Sequence, residues 1–132
     1  MTLVEQAKQN VVTKEVEEVA KYEQVSTDFI WKGLSEGTIV IPKNVKRIQK
    51  LPRAIGAGLK TKINANLGTS PDHISIKEEL EKMRVAVEYG ADAIMDLSTG
   101  GNLIEMRKEI LAECPVQVGT VPIYQVASQT IR

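Results

Sequence analysis

Lys62-Ile63-Asn64-Ala65-Asn66-Leu67-Gly68-Thr69-Ser70, Ala91-Asp92-Ala93-Ile94-Met95-Asp96-Leu97-Ser98-Thr99-Gly100 and Val118-Gly119-Thr120-Val121-Pro122-Ile123-Tyr124-Gln125 are three strand-like runs separated by two amphipathic helical runs. Asn66, Met95 and Tyr124 lie near the ends of these runs, each 29 residues from the next. A strand, a helix and the turns joining them take about 30 residues. The spacing therefore predicts one β/α unit repeated in register. Strands connected in this way run parallel, and their ends meet on the sheet edge where α/β folds gather function.

The segments between the runs carry helix signals. Ser75 and Glu78 make a Ser-x-x-Glu capping box, and Ile76, Leu80, Met83 and Val87 follow as an apolar stripe. Gly90 stands where a left-handed C-cap is wanted. Asn102 and Glu105 give a similar start to the next helix, with Leu103, Met106, Ile110 and Cys114 on one face and Pro115 ending it. Both helices suit the crossover between parallel strands, which is right-handed in nearly all cases.

In the first run Ile63, Ala65 and Leu67 share one face while Lys62, Asn64 and Asn66 share the other. A doubly wound sheet is covered on both faces and is apolar on each. One polar face suits a barrel strand better, its polar residues directed into a wet, ligand-holding interior. The fold expected is α/β: the first three β/α units of a partial (β/α)8, TIM-like barrel over residues 61–132. In the second run Met95 and Asp96 face opposite ways, and alternation leaves either as the inward one.

Residues 1–60 differ in character and read as a small helical N-terminal region with a short strand. Thr13 caps a helix whose first turn holds Glu15, Glu17 and Glu18. Its buried stripe is Val16, Val19, Ala20 and the aliphatic stem of Glu23. Ser26, Thr27 and Asp28 offer a cap for Phe29 to Leu34, and Gly37 stops that helix. Thr38-Ile39-Val40-Ile41 reads as a short strand closed by Pro42. Pro52 and Gly56-Ala57-Gly58 mark the boundary.

A chain of 132 residues suffices for one domain core. Lysine plus arginine and aspartate plus glutamate both number 17, so the charge balance favours neither nucleic acid nor an anionic membrane as partner. The cationic cluster Lys43-Asn44-Val45-Lys46-Arg47, between Pro42 and Pro52, reads as a solvated connector. Met1 to Gln6 has neither a basic n-region nor an apolar h-region, and no run approaches the ~20 apolar residues of a membrane span. With a single cysteine, a reduced, cytoplasmic setting is expected.

Thr61 to Ser70, Gly90 to Gly100 and Gly119 to Gln125 closely resemble phosphomethylpyrimidine synthase, as does the leading region with Gly37-Thr38-Ile39-Val40-Ile41-Pro42-Lys43-Asn44. The resemblance implies a lyase of thiamine biosynthesis, a radical S-adenosylmethionine enzyme. Such an enzyme converts 5-aminoimidazole ribotide to 4-amino-5-hydroxymethyl-2-methylpyrimidine phosphate in a (β/α)8 barrel. It also implies a [4Fe-4S] cluster, S-adenosylmethionine, a divalent metal (zinc or iron) and a small-molecule substrate. A homo-oligomer is expected on separate grounds, because three parallel strands leave two open edges. The family's substrate contacts in this region map onto Asn66, Met95 and Tyr124. By residue type, Asn66 offers donor and acceptor, Met95 a polarisable apolar wall, and Tyr124 a ring that stacks and a hydroxyl that hydrogen-bonds. These are binding roles; no catalytic residue is assigned.

The chain also departs from the family pattern. The family's Cys-x-x-Cys-x-x-x-x-Cys run and its metal-binding histidines have no counterpart in a sequence with one Cys and one His. Gly101 stands where a lysine is more usual, and Val126 to Arg132 drifts from the pattern. A whole barrel takes ~250 residues, so the chain reads as an amino-terminal portion, inactive by itself. The alternatives are a 5-hydroxybenzimidazole synthase of the same family and a non-catalytic fragment acting as an interaction module.

Other residues admit two readings each. Asp96 is either a catalytic acid or, more in keeping with a strand-ending carboxylate, a cap on the following loop. Ser98 to Asn102 is a phosphate-binding turn or a plain one. Lys62 neutralises an anionic ligand or pairs with Asp92 or Asp96. Cys114 reads as a buried small hydrophobe, and His73 as an exposed loop residue without a partner at ligand spacing.

Overall fold

Thr2 opens the molecule with a full capping box: its hydroxyl accepts from Glu5 N at 3.2 Å, and the Glu5 carboxylate accepts from Thr2 N at 2.6 Å. This box starts α1 (Leu3–Lys8), a helix the sequence reading passed over. The computed structural model describes residues 1–44, 46–47 and 50–130; Val45 of the cationic cluster and Ile131 and Arg132 of the tail lie outside the described residues.

Thr13 and Ser26 cap α2 (Lys14–Glu23) and α3 (Thr27–Glu36) by accepting from Val16 N and Phe29 N. Each of these helices ends on a left-handed residue, Gln24 and Gly37. The strand β1 (Ile39–Val40) pairs antiparallel with β2 (Ile55–Gly56), so Gly56 belongs to a strand rather than to a boundary segment. Val16, Val19, Ala20, Ile30, Leu34 and Ile39 form the centre of this unit's core. Glu23 joins the buried stripe as expected, and its carboxylate accepts from Lys60 N at 2.8 Å.

The chain divides into two units, Met1–Thr61 and Lys62–Arg132. The second alternates strand and helix: β3 (Asn64–Leu67), α4 (Ile76–Glu88), β4 (Ala93–Asp96), α5 (Leu103–Glu113), β5 (Gln117–Thr120) and α6 (Pro122–Thr130). The three strands lie in the order β3-β4-β5, and both pairings are parallel. Helix α4 ends in a Schellman turn: Ala91 N donates to Ala86 O at 2.9 Å, Gly90 N donates to Val87 O at 3.0 Å, and Gly90 takes φ +94°. Leu80, Met83, Met106, Ile110 and Cys114 pack with Leu67, Ile94 and Val116 into one apolar cluster.

The three parallel strands form an open sheet with helices, as expected of a partial α/β fold, since three strands do not close a ring of eight. Two expectations need correction. The third run is not a strand to Gln125, because β5 stops at Thr120 and α6 begins at Pro122. Proline has no N–H for a sheet ladder, and its fixed φ suits the first position of a helix. Ile63 precedes β3 and is 61% exposed instead of packing beside Leu67. Its backbone is held by Asp92, whose carboxylate accepts from Ile63 N at 3.0 Å.

Candidate functional site

Parallel register sets which side chains stand together. Asn66 is level with Met95 and Met95 with Gly119, so these three form one row across β3, β4 and β5. Asn64, Ala93 and Gln117 form the next row on the same face. None of the six is buried. The opposite face presents Leu67 and Ile94 to the helix-side cluster. Met95 is therefore the open-face residue of its strand and Asp96 the covered one, which settles what alternation alone left open.

Two of the three predicted ligand contacts thus come together. Asn66 is exposed on β3, and its side-chain carbonyl accepts from Asn64 Nδ2 at 3.2 Å. Met95 is half-buried beside it. Tyr124 is not in the row. It lies on α6, 41% exposed, with its backbone N donating to Val121 O at 3.1 Å. The equal spacing fails at this step: the residue level with Met95 on β5 is Gly119.

Beyond this row the two strand ends are tied together. Leu97 N donates to Leu67 O and Thr99 N to Thr69 O, both at 2.8 Å. Thr69 N donates to Ser98 Oγ at 3.1 Å, and Thr69 Oγ1 donates to Gly100 O at 2.7 Å. Asp96, 5% exposed, accepts from Ser98 N at 3.0 Å and from Ser98 Oγ at 2.5 Å. Asp96 is thereby the loop cap of the two readings. The backbone N–H groups of Ser98 and Thr99 are already committed, which supports the plain-turn reading of Ser98 to Asn102. Gly100 permits the close approach, since a Cβ there would lie 2.4 Å from the Ser70 backbone.

Glu79 is the member of this assembly that the sequence reading missed. It is 1% exposed, accepts from Gly68 N at 2.7 Å through one oxygen, and pairs with Lys82 Nζ at 2.5 Å through the other. One signal was available: Glu79 stands three residues after Ile76 and four before Met83, on the apolar stripe itself. Ser75 does cap α4 by accepting from Glu78 N. The Glu78 carboxylate, however, turns to His73, whose Nε2 lies 2.6 Å away and which holds the Glu78 carboxyl below its ordinary range. His73 is exposed, as expected, yet has this acidic partner.

Among the described residues no three His, Cys, Asp or Glu side chains gather where they could hold a metal ion. Cys114 is buried in the apolar cluster, its thiol 3.7 Å from Val116 O. These residues fit neither an iron–sulfur cluster nor a divalent-metal site. No helix among the described residues is long and apolar enough to cross a membrane. What the geometry offers is an uncovered row, Asn66–Met95–Gly119, at the braced end of a parallel sheet.

Comparison with known proteins gives this row its context. Residues 2–132 match the model of the Radical SAM ThiC family. The chain is 51% identical over 131 residues to a phosphomethylpyrimidine synthase of Thermoanaerobacter sp. (strain X514), covering 99% of the chain and 30% of that protein. It is 53% identical over 131 residues to one of Thermodesulfovibrio yellowstonii, with 99% and 30% covered. With one of Methanococcus aeolicus the identity is 52% over 130 residues, covering 98% and 30%. The chain spans about 30% of the length of these curated relatives. With half its residues shared along nearly its whole length, the chain belongs to the Radical SAM ThiC family.

Proposed function

We propose that this chain supplies part of the substrate site of a phosphomethylpyrimidine synthase, a lyase that converts 5-aminoimidazole ribotide to hydroxymethylpyrimidine phosphate in thiamine biosynthesis. The observation that carries the reading is the pairing of Asn66 with Met95 in one row on the uncovered sheet face, in a chain half identical to such synthases. Asn66 presents a carboxamide, able to donate and accept at once, to the edge of an aminoimidazole or ribose. Met95 lays a polarisable apolar wall beside it. The covered face gives the row a rigid backing, and the tied loops hold β3 and β4 at fixed height.

Tyr124 keeps its proposed role as a ring and hydroxyl for the same ligand, presented from α6 and not from the sheet row. The radical chemistry would be supplied by an iron–sulfur cluster and S-adenosylmethionine; among the described residues no group of His, Cys, Asp or Glu could hold a metal ion, so the share proposed for this chain is binding and orientation. Completion of the barrel by further β/α units accounts for the open sheet and the polar face of β3. Gly101 sits at φ +80°, where glycine is favoured for backbone reasons alone, so its presence does not argue for the hydroxybenzimidazole product.

The test is titration of the full-length protein with 5-aminoimidazole ribotide, together with product analysis after turnover. Asn66→Ala and Met95→Ala are expected to weaken ribotide binding at least several-fold, the first by removing a hydrogen-bonding partner and the second by removing apolar contact. Unchanged binding in both variants sinks the assignment of this face. Hydroxybenzimidazole as product would transfer the chain to the sister activity.

A further inference from the structure

Gly119 differs from the other glycines of the chain in what its missing side chain leaves room for. It sits within β5 without a positive φ, so the backbone does not require glycine there. Glycine within a strand weakens it, because nothing packs and more chain entropy is lost on folding. The atoms that a Cβ would meet are those of Met95: its Cε at 2.8 Å and its Sδ at 2.9 Å. Gly33, Gly56 and Gly100 also lack a positive φ, but a Cβ at Gly56 or Gly100 would strike the backbone of Thr38 or Ser70. At Gly33 it would strike the buried Ile39. Those three preserve packing. Gly119 alone of the four yields its space to the free end of a flexible side chain on the open face.

We infer that Gly119 determines specificity by setting the height of Met95: the space above its Cα is the resting place of the Met95 thioether, beside Asn66 in the same row. The inference rests on the proposed substrate role of Asn66 and Met95. A methyl group at position 119 displaces the thioether from the sheet surface into the volume that a flat heterocycle occupies when it lies against the row. Methionine is unbranched and has three rotatable bonds, so it moves without disturbing the fold. A deeper apolar wall is thereby traded for a raised one, and the ligand loses its fit.

The test uses the full-length protein, 5-aminoimidazole ribotide as the probe, and three variants: Gly119→Ala, Met95→Ala and the two combined. Gly119→Ala is expected to melt no lower than the unaltered protein, yet to bind ribotide roughly ten-fold more weakly, the scale of a one-carbon misfit in a pocket. Because the effect runs through Met95, the combined variant is expected to bind like Met95→Ala alone, a non-additive cycle. Unchanged affinity in Gly119→Ala overturns the inference, and so do additive losses in the combined variant. If Asn66→Ala and Met95→Ala also leave affinity unchanged, the substrate-face reading falls with it; if they weaken binding and Gly119→Ala does not, only the role of Gly119 falls.

Discussion

Glu79 shows how much one side chain can hold. A buried carboxylate is tolerable only when its oxygens are occupied, and here one takes the Gly68 amide while the other takes Lys82. Glu79→Ala leaves the half-buried Gly68 N–H without its acceptor at the turn that follows β3. The expected loss is about 1–3 kcal/mol, the desolvation cost of an unsatisfied donor, read from urea unfolding. Lys82→Met leaves the other oxygen of this buried carboxylate without its cation, so a loss of the same order is expected there. No loss in Lys82→Met would show that the Gly68 amide alone keeps Glu79 satisfied. In the leading unit, Lys43 hydrogen-bonds Glu15 and holds its carboxyl below the ordinary value of 4.5. A depressed carboxylate stabilises the fold above its unfolded value and loses that contribution as pH falls through its folded one. Glu15→Gln should therefore be less stable than the unaltered chain above about pH 4.5 and level with it in stronger acid, as a series of melts across pH would report.

At the scale of elements, what the sequence announces is what local chemistry decides. Caps at Thr13, Ser26, Ser75 and Asn102 and the stripe Leu103–Met106–Ile110–Cys114 all read correctly, because capping and period need only neighbours in sequence. Gly90 is the same kind of signal. Nothing lies within 4 Å of a Cβ built on it, while its φ is +94°, so Gly90→Ala meets backbone strain alone. The expected cost is about 1–2 kcal/mol, with thermal melting as the measure; a neutral result would mean the Schellman turn relaxes freely. The third run misled because its β-branched residues continue past the strand, and Pro122 outweighed them by favouring a helix start. Tyr124 went with it. Glu79 stayed hidden for the converse reason: a charged residue reads as exposed until a partner from a distant turn is known.

At the scale of the whole chain, parallel order was legible because two crossover helices leave no other simple connection. The adjacency of Asn66 and Met95 was legible too, since register followed the repeat between the first two units. Register at β5 was not: its strand begins sooner after α5 than equal spacing implies, so Gly119 takes the place assigned to Tyr124. Among the described residues β3 and β5 each pair with β4 and with no further strand, which leaves two sheet edges open to strand addition. The 132-residue chain is expected to self-associate, giving a light-scattering mass above 14.6 kDa. A monodisperse monomer of high stability would contradict this.

The bonds that join Thr69 to Ser98, Thr99 and Gly100 carry one more consequence. Connections at the mouth of a parallel sheet are ordinarily the first places where solvent deuterium enters. Here the amides of Leu97, Ser98, Thr99, Gly68 and Thr69 each donate to a partner within the opposing turn, its neighbouring helix or its own strand end. Both turns should then take up label together, at the pace of the strands they cap, and Glu79→Ala should release them ahead of the sheet.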